Sequence, residues 1–116
     1  MLTIIVSTYP TRASIRQAAK LTVEKRLAGC VLTMPVGSIY RWEGKIEDAR
    51  EVLAVFKTTK GKAKKLMKFI EQHHPYEVPF VAAFALGEVS PVNKIFNGVN
   101  KKYQQWLEKE LRSVSS

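Results

Sequence analysis

Residues 73–79 read HHPYEVP and connect a lysine-rich helical pattern to the dense apolar run of residues 81–86. Pro75 disfavours helical geometry at the residue before it, so the preceding helix is predicted to end near His73. The apolar run that follows is typical of an inner β-strand. Because the segment also holds both histidines of the chain, it is a candidate site as well as a connection.

The N-terminal part of the chain has one strand pattern and one helix pattern. Residues 2–6 form a continuous β-favouring run, and Pro10 and Thr11 mark the start of a helix. Apolar residues then recur every four positions, which predicts a stripe facing the core, and Gly29 is predicted to end the helix. The stripe consists of Ile15, Ala19, Val23 and Leu27.

A long β-hairpin is predicted next. Residues 30–42 have β character that is interrupted by Pro35 and Gly37, which indicates a bulge or kink in one long strand. Glu43-Gly44 is a two-residue turn candidate, after which β character returns.

Two further helices are predicted. The first is capped by Thr58-Thr59 and ends at the histidine segment. Its apolar residues have the i, i+3, i+4, i+7 spacing of an amphipathic helix, at Ala63, Leu66, Met67 and Ile70. The last helix is marked by Tyr103, Trp106, Leu107 and Leu111. Residues 87–98, between the two, have no clear periodicity.

The element order is therefore β-α-β-β-α-β followed by a C-terminal helix. With right-handed crossovers, this order predicts an α+β, ferredoxin-like fold in a single domain, residues 1–116. A chain of this size needs no metal or disulfide in order to fold. Both crossover helices pack on one face of the sheet. The final helix is too short to cover the other face alone, so we expect the chain to oligomerise.

The chain is strongly basic, with a net charge of +9 from 19 Lys and Arg against 10 Asp and Glu. Such an excess allows binding to nucleic acid, anionic lipid or acidic partners without selecting among them. Many of the lysines lie at positions 57–68, either as a solvated helix face or as a basic patch. No aromatic residue is interleaved there, which argues against nucleic acid as the partner.

Several features predict a cytoplasmic protein that is not an enzyme. No apolar segment approaches the length of a membrane span, and the N-terminus has no basic leader, so we expect no membrane association. Cys30 is the single cysteine and cannot form a disulfide within the chain, which suits a reducing compartment. The sequence has no Ser/His/Asp set, phosphate-binding glycine loop or metal-spaced Cys/His cluster.

Four blocks of the sequence resemble those of one family. They are KRLAGCV at 25–31, SIYRWEGKI at 38–46, EVLAVFKTT at 51–59 and HPYEVP at 74–79. In this order and spacing they resemble the CutA family, the divalent-cation tolerance proteins. The resemblance covers residues 2–86, and YQQWL at 103–107 is similar to the family's C-terminal tyrosine–tryptophan helix.

The resemblance implies a ferredoxin-like fold and a tight homotrimer, in which strands of neighbouring protomers continue each other's sheets. It also implies a cytoplasmic protein without established enzymatic chemistry, whose ligand is copper or another divalent metal. A signalling role is implied as well, because the trimer resembles that of the PII regulatory proteins.

The family's proposed copper site combines a thiol at the end of the first strand with an adjacent histidine pair. The pair matches His73 and His74, but the thiol position holds Ser7, and Phe80 stands where many relatives have glutamate. Serine is a poor ligand for a soft metal, so we expect the histidines to bind Cu(II) or another divalent cation weakly. The alternative is structural, because histidine near a helix C-terminus can satisfy carbonyl groups.

A second candidate site consists of polar-tipped or charged residues in the matched blocks: Tyr40, Trp42, Lys57, Tyr76 and Glu77. They predict either an inter-protomer pocket for a small anion or metabolite, or interface packing. The second alternative is open because Tyr and Trp combine apolar contact with one hydrogen bond.

The leading hypothesis is a CutA-like trimeric binding or regulatory protein linked to divalent-metal tolerance, with copper as the metal. One alternative is a PII-like signal-binding trimer that holds an anionic metabolite or nucleotide in its inter-subunit cleft. Another is a basic nucleic-acid-binding module, motivated by the net charge alone.

Overall fold

The structure, a computed structural model, describes residues 2–88, 98–99 and 101–112. The strands are β1 (Leu2–Tyr9), β2 (Cys30–Trp42), β3 (Lys45–Thr59), β4 (Val81–Glu88) and β5 (Gly98–Val99). The helices are α1 (Arg12–Glu24), α2 (Lys60–His73) and α3 (Lys101–Leu111). Most of the segment without clear periodicity, residues 89–97, lies outside the described residues.

The strands form one sheet with the order β2-β3-β1-β4-β5. Neighbouring strands from β2 to β4 are antiparallel, so β1 and β2 run parallel with β3 between them. This is the predicted α+β, ferredoxin-like arrangement. The short strand β5, which pairs in parallel with β4, was not predicted.

The core lies between the sheet and the helices α1 and α2. Successive strand residues alternate between the two sheet faces, and on the helix-covered face Ile5 and Phe56 are fully buried opposite one another. Three helix residues complete this core: Ile15, Leu66 and Ile70. Ala63 and Met67 pack against it, as the amphipathic spacing of α2 predicts.

The predicted end of α1 is wrong, because the helix stops at Glu24 and the chain reverses at Arg26, which has a left-handed φ of 59°. The predicted stripe is wrong at Val23, whose side chain is 43% exposed. A step of four residues overshoots a 3.6-residue turn by about 40°, so the stripe rotates away from the core as it proceeds. Gly29 instead lies immediately before β2, where its N–H donates to the Lys57 carbonyl.

The prediction of one long strand is confirmed by β2, which has no bulge at Pro35 or Gly37. Its pairing with β3 runs without a slip from Cys30 opposite Lys57 to Trp42 opposite Lys45. Pro35 is tolerated because β2 is an edge strand of the sheet, where a missing N–H need not break a ladder.

The predicted two-residue turn at the tip of the hairpin is confirmed. Glu43 and Gly44 both have positive φ, 48° and 80°, as a type I′ turn requires. β1 pairs only with residues 52–59 of β3, so the distal part of the hairpin continues beyond it as a two-stranded ribbon. We call residues 36–51 the hairpin ribbon.

The second sheet face, opposite α1 and α2, is only partly covered. α3 packs at one end of it, where Leu107 and Leu111 are buried against Leu2. Farther along the same face, large apolar side chains remain exposed among the described residues: Leu32, Met34, Tyr40, Trp42 and Phe84. As expected from the sequence, the last helix does not cover this open face alone.

Candidate functional site

The end of α2 follows the prediction from Pro75. The helix ends at His73, and His74 is extended, with φ −75° and ψ 138°. The side chains of these two adjacent histidines consequently lie in different environments.

His74 is half-buried, and both of its ring nitrogens form hydrogen bonds with the backbone. Nε2 lies 2.8 Å from the carbonyl oxygen of Thr8, and Nδ1 lies 3.0 Å from the amide nitrogen of Tyr76. Because a carbonyl only accepts and an amide only donates, this pattern selects the neutral ring with its proton on Nε2. The ring also stacks on Tyr9, with centroids 4.2 Å apart.

Burial lowers the pKa of His74, and the Thr8 carbonyl and the Glu51 carboxylate oppose this effect without overcoming it. The neutral ring therefore persists at neutral pH. Metal coordination through His74 requires the loss of one of its two backbone hydrogen bonds.

His73 is exposed and is attached to its own helix. Its Nδ1 lies 2.9 Å from the carbonyl oxygen of Phe69, one turn earlier, and its ring stacks on the Phe69 ring with centroids 4.2 Å apart. Nδ1 is thus the donor, and Nε2 is the nitrogen left for a metal. This contact with a helix carbonyl is the structural role expected of a histidine near a helix C-terminus.

The histidine pair does not form a two-nitrogen chelate in this conformation. Within residues 2–88, 98–99 and 101–112, no three His, Cys, Asp or Glu side chains come together as a ligand set. Ser7, at the thiol position, is fully buried, and its hydroxyl donates to the Phe80 carbonyl at 2.7 Å. Metal binding by His73 and His74 stays a prediction.

A pocket of about 440 Å³ lies beside the histidine segment, between the hairpin ribbon and residues 76–80. It occupies the uncovered part of the open sheet face, because the strand positions that line it point to that face. The polar lining residues are Thr8, Ser38, Glu51 and Glu77. The aromatic lining residues are Tyr40, Trp42, Tyr76 and Phe80, and Val78 completes the wall.

Glu51 is the polar centre of this pocket. The Tyr76 hydroxyl donates to its Oε1 at 2.7 Å. Burial acts to raise the pKa of Glu51, but hydrogen bonding from Ser38, Tyr76 and Thr8 and the nearby His74 outweigh burial, so the pKa is lowered. Burial, together with the bond to the carboxylate and its charge, raises the pKa of Tyr76. At neutral pH the pair is a carboxylate and a phenol.

The structure brings together four of the five residues predicted for the second site. Tyr40, Trp42, Tyr76 and Glu77 line the pocket. Lys57 does not, because it lies on β3 between Ile4 and Cys30, near the other end of the sheet.

Sequence reasoning missed Glu51, Thr8 and Ser38 as members of this pocket. The signal that could have found them is strand register, since all three occupy open-face positions near the end of β1. Glu51 opens a block that matches the family, but no local pattern shows that it meets Tyr76.

These observations define a small α+β protein with a ferredoxin-like sheet, an extended hairpin ribbon and a pocket on the open sheet face. The family model described as "CutA1 divalent ion tolerance protein" matches residues 3–110. This chain therefore belongs to the CutA1 family.

Two relatives show the extent of the match. The divalent-cation tolerance protein CutA of Thermococcus kodakarensis is 32% identical over 108 residues, which cover 93% of this chain and 94% of the relative. Human protein CutA is 39% identical over 109 residues, 93% of this chain and 55% of the relative. The chain thus spans about half the length of the human protein, and the same holds for the mouse protein, at 56%.

Solved structures agree with the fold. CutA from Synechococcus elongatus PCC7942 superposes with a TM-score of 0.84 at 29% identity, covering 96% of this chain and 90% of that one. A CutA from Archaeoglobus fulgidus, described as periplasmic, has a TM-score of 0.79 at 28% identity, covering 97% and 100%. Among the described helices, none is both long and apolar enough to cross a membrane.

Proposed function

We propose that this chain acts as a homotrimeric binding or regulatory protein in divalent-metal tolerance, with copper as the metal. Membership of the CutA1 family supports the link to metal tolerance. The T. kodakarensis relative carries divalent-cation tolerance in its name. We further propose that the protein is cytoplasmic and acts by binding rather than by catalysis.

The observation that carries the assembly is the apolar surface of the hairpin ribbon. Ile39 and Ile46 are 74% and 62% exposed on one side of it, and Trp42 is 49% exposed on the other. A two-stranded ribbon that leaves apolar residues exposed on both sides is marginally stable alone. A neighbouring copy supplies the cover that the chain itself lacks.

The edge of the sheet supports the same proposal. β2 spans 13 residues, and among the described strands it pairs with β3 alone, so one row of its backbone groups is open to another strand. A long apolar edge of this kind promotes uncontrolled association unless it is paired. Continuation of one protomer's sheet by a strand of the next satisfies these groups. Analytical ultracentrifugation tests this, with an expected mass of three times the 13.1 kDa chain.

The metal part of the proposal rests on the exposed edge of His73. A single imidazole binds Cu(II) weakly, and thiolate help is absent at Ser7. We expect isothermal titration calorimetry to show weak Cu(II) binding that the His73→Ala/His74→Ala variant loses. Gln72→Ala, which changes an exposed neighbour on the same helix, is the control. Equal affinity of the double variant and the unaltered protein would exclude the histidines as ligands.

A PII-like signal-binding role is a second candidate, because the pocket gives a small molecule a place to bind. Its predicted anionic ligand meets Glu51 and Glu77 there, and none of the described lining residues is basic. The pocket therefore supports ligand binding but favours a ligand of the opposite charge.

A further inference from the structure

The exposed side of α2 concentrates positive charge that the proposed function does not use. Five of the first nine residues of this helix are lysine, and its one acidic residue, Glu71, lies in the last turn. Lys60, Lys64, Lys65 and Lys68 are exposed. We call these four residues the lysine face of α2.

The arrangement of these lysines is unfavourable for the helix itself. Lys60, Lys64 and Lys68 recur at every fourth residue, so neighbours in the row lie one turn apart, where like charges repel. The first turn contains no acidic residue, and Lys60 and Lys62 stand at the positive end of the helix dipole. A solvated helix face typically alternates charges of both signs instead. A bound polyanion would offset this repulsion.

The lysine face lies away from the surfaces that the proposed trimer uses. α2 packs on β1, β3 and β4, whereas α1 is the helix that packs on the edge strand β2. Assembly is assigned to the open sheet face, the hairpin ribbon and the free edge of β2, and α2 covers the opposite face of the sheet. The four lysines therefore stay exposed in the single chain and in the proposed trimer.

The neighbouring helix does not neutralise this charge. α1 carries three Lys or Arg and one Glu, all of them exposed. Because α1 and α2 lie on the same face of the sheet and contact each other, they form one layer of positive charge. Such a layer attracts an extended polyanion more strongly than a single small anion.

We propose that the lysine face of α2 binds the phosphate backbone of a nucleic-acid duplex without reading its sequence. At 1.5 Å per residue, Lys60 and Lys68 are about 12 Å apart along the helix, which is close to the width of the major groove. The two ends of the row can consequently reach phosphates of opposite strands. Lysine acts on phosphate as a point charge, and the release of condensed counterions supplies the free energy of such binding.

A single strand fits this face less well than a duplex. Proteins that bind single strands stack the bases on aromatic rings, and none is interleaved among the lysines of residues 60–68. This absence does not count against a duplex, because its bases already stack on each other and its phosphates are outside.

A membrane or an acidic protein is also a poorer match. A helix that lies in a membrane surface buries its apolar side in lipid, whereas Leu66 and Ile70 of α2 are buried in the core. An acidic segment would gain at most about 1 kcal/mol from each exposed ion pair. It would also lack an apolar anchor, since none of the exposed large apolar residues described lies on α2.

The lysine face includes neither the histidine pair nor the pocket, so this proposal goes beyond the proposed function and does not rest on it. A failure of Cu(II) binding leaves it unaffected.

The test is fluorescence anisotropy of a labelled DNA duplex of mixed sequence, titrated with the intact protein in its native assembly at several salt concentrations. We expect a dissociation constant on the order of 10⁻⁶ to 10⁻⁴ M at physiological salt. The logarithm of the association constant should fall with the logarithm of salt with a slope of about −3.6, as four phosphate contacts require. A duplex of unrelated sequence should bind equally well.

Two double variants with the same change in net charge locate the effect. Lys64→Gln/Lys68→Gln should reduce the magnitude of the salt slope by about two and weaken binding at low salt by about tenfold or more. Lys102→Gln/Lys109→Gln removes two exposed lysines from α3, on the other side of the sheet, and should change neither quantity. Circular dichroism and sedimentation confirm that each variant is folded and assembled. Because the first variant relieves repulsion on α2, its thermal midpoint should not fall.

Three outcomes would overturn the proposal. Equal weakening by the two double variants would mean that net charge alone attracts the duplex. No binding at low salt would make the lysine face merely solvated. Tighter binding of the single strand, of phosphatidylserine vesicles or of poly-glutamate than of the duplex, at the same salt, would assign the face to a different partner.

Discussion

Single residues at the end of α2 show how adjacent identical side chains acquire different roles. His73 continues the helix and bonds to a carbonyl one turn earlier, whereas His74 is already extended and connects to β1. The difference arises because Pro75 removes helical geometry from His74. The sequence correctly predicts the end of α2 at this segment. It could not show that both ring nitrogens of His74 form hydrogen bonds, since one partner, Thr8, is distant in the chain.

His74 should titrate below the ordinary histidine value. Burial lowers its pKa below 6.5, an effect that the Thr8 carbonyl opposes without overcoming, and the amide of Tyr76 donates to an unprotonated Nδ1. Because the unfolded chain then binds the proton more tightly, folding stability falls as the pH drops from 6.5 towards the folded-state pKa. Long-range ¹H–¹⁵N NMR should show an Nε2–H tautomer at neutral pH. An Nδ1–H tautomer, or a pKa above 6.5, would contradict the assignment.

Ser7, on β1, stabilises the same connection between α2 and β4. Its buried hydroxyl donates to the Phe80 carbonyl, which anchors the chain just before β4. Ser7→Ala leaves that carbonyl without its partner and should destabilise the protein by about 1 kcal/mol. Ser14→Ala, which removes an exposed hydroxyl on α1, should have a smaller effect. Chemical denaturation at one protein concentration compares the two, and equal effects would show that the buried bond is not stabilising.

At the scale of elements, two chain reversals contain residues with positive φ, but they differ in how well the sequence predicts them. Glu43-Gly44 reverses the hairpin in a two-residue turn that the sequence predicts from its glycine. The chain after α1 turns at Arg26 instead, which has no comparable sequence signal. Local pattern therefore predicts the hairpin tip, whereas the end of α1 depends on the tertiary packing of the following segment.

Gly29 is required by close packing rather than by a turn. A Cβ at this position would collide with the Leu107 side chain of α3. Gly29→Ala should therefore displace α3 or the start of β2 and destabilise the protein by about 1–3 kcal/mol. Gly61→Ala is the matched control, because a Cβ there meets open space and alanine favours the helix. Thermal unfolding measures both, and an unchanged midpoint for Gly29→Ala would contradict the close packing.

The whole molecule combines a well-packed helix-covered face with an open face that one end of α3 shields. Element order alone predicts this inequality, since two crossover helices pack on the same side of a ferredoxin-like sheet. The pocket was less predictable, because Thr8, Ser38 and Glu51 meet there only through the registers of three strands. Sequence patterns therefore predict that the open face needs a partner. The charge of the pocket lining could not be predicted in this way, because it depends on which residues the folded chain brings together.

The exposed hairpin ribbon should be necessary for assembly. Trp42 is 49% exposed beside the turn, and large aromatic residues of this kind contribute strongly when they are buried at an interface. Trp42→Ala should weaken the trimer by about 2 kcal/mol or more, which is roughly a thirtyfold change in its dissociation constant. Val23→Ala removes an apolar side chain that is similarly exposed on α1, at 43%, and should leave assembly unchanged. Sedimentation velocity over a dilution series distinguishes the two variants. If Trp42→Ala remained fully trimeric at the lowest concentration, the ribbon would not be the surface that holds the protomers together.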